Sequence, residues 1–259
     1  LVYRSPLIIN SSIDWSGSQK VTRDIDIIFS GRMTDVKNPK FAIQVAQQVA
    51  YRLGRRVSMA MLGDGSLLDD MRSIAKSIAP DVSIEFTGNV AQRDIPNYFY
   101  RSKVFLFPTL WDPWGVVVNE AFTAGVPVIS TDHAGAANEL VVSNYTGYVL
   151  GLDISLWADA VVNLLTNFHL WEQMSSAAKK AVEPYNDYCA AFGVIDAAKA
   201  SVLGADAFKK LNNFPLKNII PPSRVVLSQN VTIIQRRLTH YRVPLFELLK
   251  SKLEKEGIR

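Results

Sequence analysis

The sequence predicts an α/β fold: a Rossmann-like, doubly wound parallel sheet of about six strands, followed by a short C-terminal strand–helix piece. Three observations carry that expectation. Short apolar runs such as Val57–Leu62 and Val104–Phe107 have the length and continuity of strands buried on both faces. Between them lie stretches in which apolar residues return every three or four positions, as Phe41, Val45 and Val49 do, the period of a helix with one packed face. Glycine or a polar turn follows most of the runs directly, and a doubly wound sheet gathers its ligands there, at the carboxyl ends of its strands.

Residues 1–20 are polar and irregular and read as a linker from an upstream domain; the chain opens on Leu1, so a preceding segment is expected. Asp24–Ser30 is the first strand. Its Asp24-Ile-Asp26 has the acid-x-acid form of a metal-binding motif, but it opens the strand instead of ending it, so no metal is expected there. Gly31-Arg-Met-Thr-Asp-Val-Lys37 follows at once, placing an arginine fork and a lysine point charge in a strand-exit loop, an arrangement suited to a diphosphate. A helix over 38–53, a strand over 57–62 and the turn Gly63-Asp-Gly65 come next. Strand–Gly-x-Gly–helix invites a dinucleotide reading, but Leu68 occupies the third glycine's place and no acid ends the next strand. Nicotinamide binding is therefore not expected.

Leu67, Met71, Ile74 and Ile78 mark one face of the following helix; Val82–Phe86 is a third strand and Thr87–Val90 its exit loop. A helix over 93–102 carries Tyr98, Phe99 and Tyr100, read as packing residues. Val104–Phe107 is the fourth strand, stopped by Pro108, and Val126–Ser130 and Tyr148–Leu150 are the fifth and sixth. Helical stretches at about 155–166, 169–182 and 187–202 complete a domain over 21–204. Residues 205–230 are linker-like, and 231–259 read as a new strand and helix, too small to bury a core alone.

The chemistry concentrates between Phe105 and Glu139. A loop from Thr109 to Trp114 delivers Asp112, Gly115 removes a side chain where the backbone comes close to something, and Val116–Ala124 reads as a helix closed by Gly125. Glu120 lies eight positions after Asp112 on that helix. A helix start with free amides and a glycine suits a phosphate. Carboxylates beside it repel phosphate but accept sugar hydroxyls. A ligand that needs both is a nucleoside-diphosphate sugar, although two merely solvated acids explain the pair equally well when it is taken alone.

An acid, seven residues, then Glu, followed by Gly-Val-Pro-Val-Ile, resembles the Glu-x7-Glu signature of retaining glycosyltransferases with the GT-B fold, family 4 among them. The resemblance spans about residues 17–200 and takes in Gly31/Arg32/Lys37, Gly63/Gly65, Gly88, Asp112/Glu120 and Gly135/Glu139 in the family's order. It implies that Glu120 holds ribose, that Asp112 contacts the donor sugar, and that the amides of Trp114, Gly115, Val116 and Val117 face the diphosphate. Arg32 and Lys37 would neutralise that diphosphate. Gly31, Gly63 and Gly65 would line the nucleotide pocket, Asn89 and Val90 would meet the base, and Glu139 closes the glycine-containing loop after the fifth strand. Asp112 stands where the family has Glu, and its carboxylate reaches about one methylene less far. His133 is read as a loop residue near the donor, because the family's site histidine belongs to the acceptor-side domain.

The implied reaction moves a sugar from a nucleoside-diphosphate donor to an acceptor hydroxyl with retention of configuration, without a metal and with no cofactor beyond the donor. Polysaccharide or glycolipid assembly is its setting, with a glycan or lipid-linked acceptor chosen by an acceptor-side domain expected outside this chain. Residues 231–259 resemble the start of such a domain in a following transferase unit. The alternative is a nucleotide-sugar-binding module without turnover.

Composition agrees with a core-forming protein, at 48% hydrophobic residues. The net charge of +4 is uneven: residues 205–259 carry 11 Lys/Arg against 4 Asp/Glu, and residues 1–204 carry 17 against 20. No basic face with interleaved aromatics marks the main domain, so nucleic-acid binding is not expected. The single Cys189 excludes an internal disulfide and reads as a buried helix residue in a reducing compartment. A cytoplasmic protein follows, with peripheral contact to the inner membrane face through the basic tail as a further expectation.

Overall fold

The computed structural model describes residues 13–15, 21–193 and 251. The linker at 205–230, the piece at 231–259 apart from Ser251, and most of the linker at 1–20 lie outside the described residues. Ile13–Glu183 form one compact unit, which contains every candidate site residue. The second unit includes the described stretch 184–193, where residues 187–193 are helical. Its Tyr188 and Phe192 rings lie 4.5 Å apart, and Cys189 there is a half-buried free thiol.

Within the larger unit six strands alternate with helices. The strands are β1 (Ile25–Ser30), β2 (Val57–Leu62), β3 (Val82–Gly88), β4 (Ser102–Phe107), β5 (Val128–Ser130) and β6 (Gly147–Val149). The helices are α1 (Pro39–Leu53), α2 (Leu68–Ser77), α3 (Ile95–Arg101), α4 (Val116–Thr123), α5 (Ile154–Thr166) and α6 (Phe168–Val182). The sheet runs β3-β2-β1-β4-β5-β6 with every pairing parallel, the doubly wound order. Ile27 and Ile28 point to opposite faces of β1 and are both fully buried, so helices cover the sheet on both sides.

Local chemistry sets the helix ends. Asn38 adopts a left-handed φ of 53° before Pro39 starts α1, and Gly54 at φ 59° ends it. Asp153 caps α5 by accepting from the Leu156 amide at 2.9 Å, and Asn167 caps α6 by accepting from Leu170 at 3.0 Å. One face packs α1 on α5 through Phe41 and Trp157, edge-on at 5.2 Å. On α3, Phe99 is fully buried edge-on against Phe105 at 5.6 Å, so the aromatics there include a core anchor.

The acid-x-acid motif serves the fold. Asp26 is 3% exposed and bonds Arg55, Lys103 and the Ser58 amide. Burial alone pushes its carboxyl up, but the hydrogen bonds from Arg55 and Lys103 outweigh it and hold the acid below the usual carboxylate range. Asp26 lies in the first half of β1, away from the strand's carboxyl end.

Candidate active site

β1 and β4 lie side by side, and the chain continues from them in opposite directions, to β2 on one side and β5 on the other. That reversal opens a crevice at the carboxyl edge of the sheet. Two exit loops border it, residues 31–38 after β1 and 108–115 after β4. They are tied together at Val36, whose carbonyl accepts from the Leu110 amide at 2.7 Å and from Thr109 Oγ1 at 3.1 Å.

The stitching continues outward in both directions. Met33 N donates to Asp64 O at 2.9 Å and Gly63 N to Gly88 O at 2.8 Å, joining the exits of β1, β2 and β3. On the other side Thr131 Oγ1 donates to Thr109 O at 2.6 Å, Asp112 N to His133 O at 3.2 Å and Gly135 N to Asp112 O at 3.0 Å. Five exit loops thus form one hydrogen-bonded rim. Its glycines permit the close approach: a Cβ on Gly63 would lie 2.1 Å from Gly31 O, and one on Gly135 would lie 2.1 Å from Pro113 O. Gly65 meets the Met33 backbone in the same way.

Asp112 is committed on both carboxylate oxygens. Its Oδ2 accepts from Lys37 Nζ at 2.5 Å, with the two side chains 17% and 14% exposed, and its Oδ1 accepts from the Trp114 amide at 3.0 Å. The Trp114 amide, expected to face a phosphate, is therefore used within its own loop. A side chain as short as aspartate folds back on the backbone two residues on. The next three amides, of Gly115, Val116 and Val117, have no acceptor among the described residues and stand at the start of α4. The Trp114 indole is fixed by donating to Oδ1 of fully buried Asn119 at 2.9 Å, a support that no sequence signal indicated.

Gly115 has φ 93°, and a Cβ there would come within 2.6 Å of the Phe107 ring. The side chain it avoids meeting is the end of β4, over which Lys37 Nζ also sits at 5.7 Å. Gly115→Ala is expected to cost about 1–3 kcal/mol through this strained conformation, which in a domain of this size lowers Tm by about 2–4 °C per kcal/mol. Thermal melts of the two proteins check it, and an unchanged Tm would show that the turn can re-form without glycine.

Glu120 lies four residues beyond Val116, one helical turn along the same face. The Glu120 side chain is half-buried, and no hydrogen bond or ion pair meets its carboxylate among the described residues. The surrounding protein governs its ionisation: burial pushes the acid up to about 7.

The remaining expected residues are placed less closely. Gly31 stands beside the Lys37 stem, which a Cβ added at Gly31 would meet at 3.8 Å, and Arg32 is exposed with no partner among the described residues. Asn89 and Val90 line a separate polar concavity of about 610 Å3 at the exit of β3, with Glu85, Tyr98 and Arg101. Glu139 is exposed in the segment between Ala137 and Val141, and His133 is exposed beside Asp132 at 3.7 Å.

The sequence model of glycosyl transferases group 1 matches residues 14–181, which holds both bordering loops and the whole sheet. The chain belongs to that family. Among curated relatives, 2-deoxystreptamine N-acetyl-D-glucosaminyltransferase of Niallia circulans is 27% identical over 153 residues, covering 57% of this chain and 38% of the relative. The GDP-mannose-dependent alpha-(1-6)-phosphatidylinositol monomannoside mannosyltransferase of Mycobacterium tuberculosis is 32% identical over 133 residues, 48% of this chain and 34% of the relative. This group 1 chain therefore spans well under half the length of either. Its fold matches the crystal structure of a point mutant of S. aureus TarM, bound to Fondaparinux, alpha-GlcNAc-glycerol and UDP, with a TM-score of 0.62 at 20% identity. That match covers 73% of this chain and 38% of TarM. Among the described residues no helix is long and apolar enough to cross a membrane.

Proposed function

We propose that this chain is the donor half of a retaining, metal-independent glycosyltransferase, taking its sugar from a nucleoside diphosphate. One observation carries the reading: at the sheet's reversal point the described residues bring together a lysine, three open helix-start amides and a half-buried carboxylate that has no partner among them. Cations and amides match a diphosphate, and a carboxylate without a protein partner matches the paired hydroxyls of ribose.

In this reading Glu120 accepts the ribose hydroxyls. Gly115, Val116 and Val117 donate their amides to the diphosphate, with Lys37 and the exposed Arg32 supplying positive charge. Asp112 turns its carboxylate to the donor sugar once Lys37 engages phosphate. Departure of the diphosphate then builds negative charge against fixed donors that need no reorganisation, the effect that usually contributes most to such a transfer. Those cations and dipoles do the work that a divalent metal does elsewhere. The UDP complex of the structural neighbour and the GDP-mannose dependence of one relative support a nucleoside-diphosphate donor. An acceptor hydroxyl on a glycan or lipid-linked glycan, and membrane-peripheral work in polysaccharide or glycolipid assembly, belong to the same proposal.

The test is a thermal-shift and calorimetric series with UDP, GDP and ADP, their parent nucleosides and their sugars, each with and without EDTA. At least one diphosphate is expected to raise Tm well above its nucleoside, unaffected by EDTA, with the shift growing as the logarithm of ligand concentration. Should none of the diphosphates bind at millimolar concentration, the crevice is not a donor site.

A further inference from the structure

A groove of about 600 Å3 opens beside the rim, between the start of α1 and the first turns of α2. Leu67, Met71 and Ile74 form its apolar floor. Asp35, Lys40 and Asp70 stand around its edge, none of them in an ion pair among the described residues. Leu110 forms part of the wall and is 44% exposed. The next residue, Trp111, is 64% exposed, is the only exposed tryptophan among the described residues, and its ring meets no other aromatic there. Val36, 43% exposed, is tied to Leu110 through its carbonyl. Trp111 directly precedes Asp112 and Val36 directly precedes Lys37, so this apolar patch borders the ion pair on both loops.

Exposed aromatic and aliphatic side chains grouped in this way mark a binding surface. A lipid surface or a packed protein face would cover the patch, but it would also strip water from three unpaired charges at the groove's edge, which is unfavourable without partners. A carbohydrate meets both halves. Its C–H faces lie flat on an indole or an aliphatic floor, while its hydroxyls donate to carboxylates and accept from an ammonium at the edge.

We infer that this groove is an acceptor subsite that takes a carbohydrate chain, with Trp111 stacking on the sugar unit nearest Asp112. The inference rests on the donor reading for its direction, since the receiving hydroxyl has to arrive beside the donor sugar at Asp112. Trp111 is then a specificity-determining residue: it orients the acceptor and leaves the diphosphate untouched.

The test uses the 259-residue chain and its tryptophan fluorescence under acrylamide quenching. Cellotetraose, maltotetraose, mannotetraose and chitotetraose are the probes, and at least one is expected to shield the exposed tryptophan. Trp111→Ala is expected to weaken that tetrasaccharide about tenfold or more, read by calorimetry, as truncation of a central aromatic anchor does. Trp111→Phe should restore most of the affinity. Ile74→Lys, which places a charge in the floor, should weaken it independently, with Tm measured for every variant. UDP and GDP should bind all of these variants as they bind the parent chain. The inference is overturned if no tetrasaccharide shields Trp111 at millimolar concentration, or if Trp111→Ala binds as tightly as the parent. Shielding by phosphatidylglycerol vesicles with none by tetrasaccharides overturns it in favour of a membrane contact. Tetrasaccharide shielding without any diphosphate binding supports the groove while removing the donor reading.

Discussion

Glu120→Gln is expected to make the empty protein more stable at pH 8 and at the same time a poorer binder of nucleosides. Burial raises the acid from an ordinary value of about 4.5 to about 7 in the folded chain. A group whose folded-state value is raised contributes its full share of stability below the unfolded value and loses it as pH climbs through the folded value. Between about pH 4.5 and 7 the native state therefore gives up stability, reaching about 3 kcal/mol once the carboxylate is ionised in its pocket. Glutamine carries no charge to bury. Its Tm advantage should be near zero at pH 4.5 and amount to several degrees at pH 8, at about 2–4 °C per kcal/mol.

Binding should move the other way. Hydrogen bonds to a charged acceptor contribute roughly 1.5–3 kcal/mol, so nucleoside affinity should fall about ten- to a hundredfold in the variant. In the parent chain nucleoside affinity should also rise from pH 6 to pH 8 as Glu120 ionises, with proton release on binding, and the variant should lack that slope. Melts at the two pH values and calorimetry in buffers of different ionisation enthalpy give both readings. A variant less stable than the parent at pH 8 would mean that Glu120 has a protein partner and is not waiting for a ligand.

Asp112→Asn is expected to tighten the bare diphosphate and loosen the sugar-loaded donor. Lys37 Nζ sits 2.5 Å from Asp112 Oδ2, so an arriving diphosphate has to draw the lysine away from an existing partner. Asparagine can still accept the Trp114 amide but no longer holds the ammonium by charge. With the pair mostly shielded from solvent, the released attraction is on the order of 1 kcal/mol, or several-fold in diphosphate affinity. Lys37→Ala should weaken diphosphate and sugar donor alike and leave the free nucleoside unaffected. Titrating nucleoside, diphosphate and sugar donor against both variants checks the pattern. Equal losses of diphosphate affinity in the two would mean that Asp112 and Lys37 act as one fixed unit.

Most of the fold could be read from local pattern. Val57–Leu62 is the observed β2 residue for residue, because a strand covered on both faces is a continuous apolar run in any context. β5 shows where that logic stops. Val126 and Pro127 continue the apolar run, yet the strand begins at Val128. The Val126 amide instead closes on Ala121 O at 2.8 Å, and Pro127 has no N–H for the ladder, although its carbonyl still accepts from Phe105. The site divides along the same line. Lysine and arginine after β1, aspartate and glutamate around the start of α4, and glycines at the strand exits were all legible as residue types at informative positions.

What those residues do to one another was not. Lys37 and Asp112 are 75 positions apart, and their pairing depends on β1 and β4 being neighbours in the sheet. Use of the Trp114 amide by Asp112, the support of Trp114 by Asn119 and the exposure of Trp111 depend on how one loop is laid against the next. The sequence by itself determined the layered sheet, its helices and the chemical types at its carboxyl edge, because burial pattern and turn chemistry act over a few residues. Only the tertiary structure decided which charges are already spent, which amides stay open and that Glu120 titrates near neutrality. Ionisation answers to desolvation and fields summed through space over groups distant in the chain, and no local pattern records that sum.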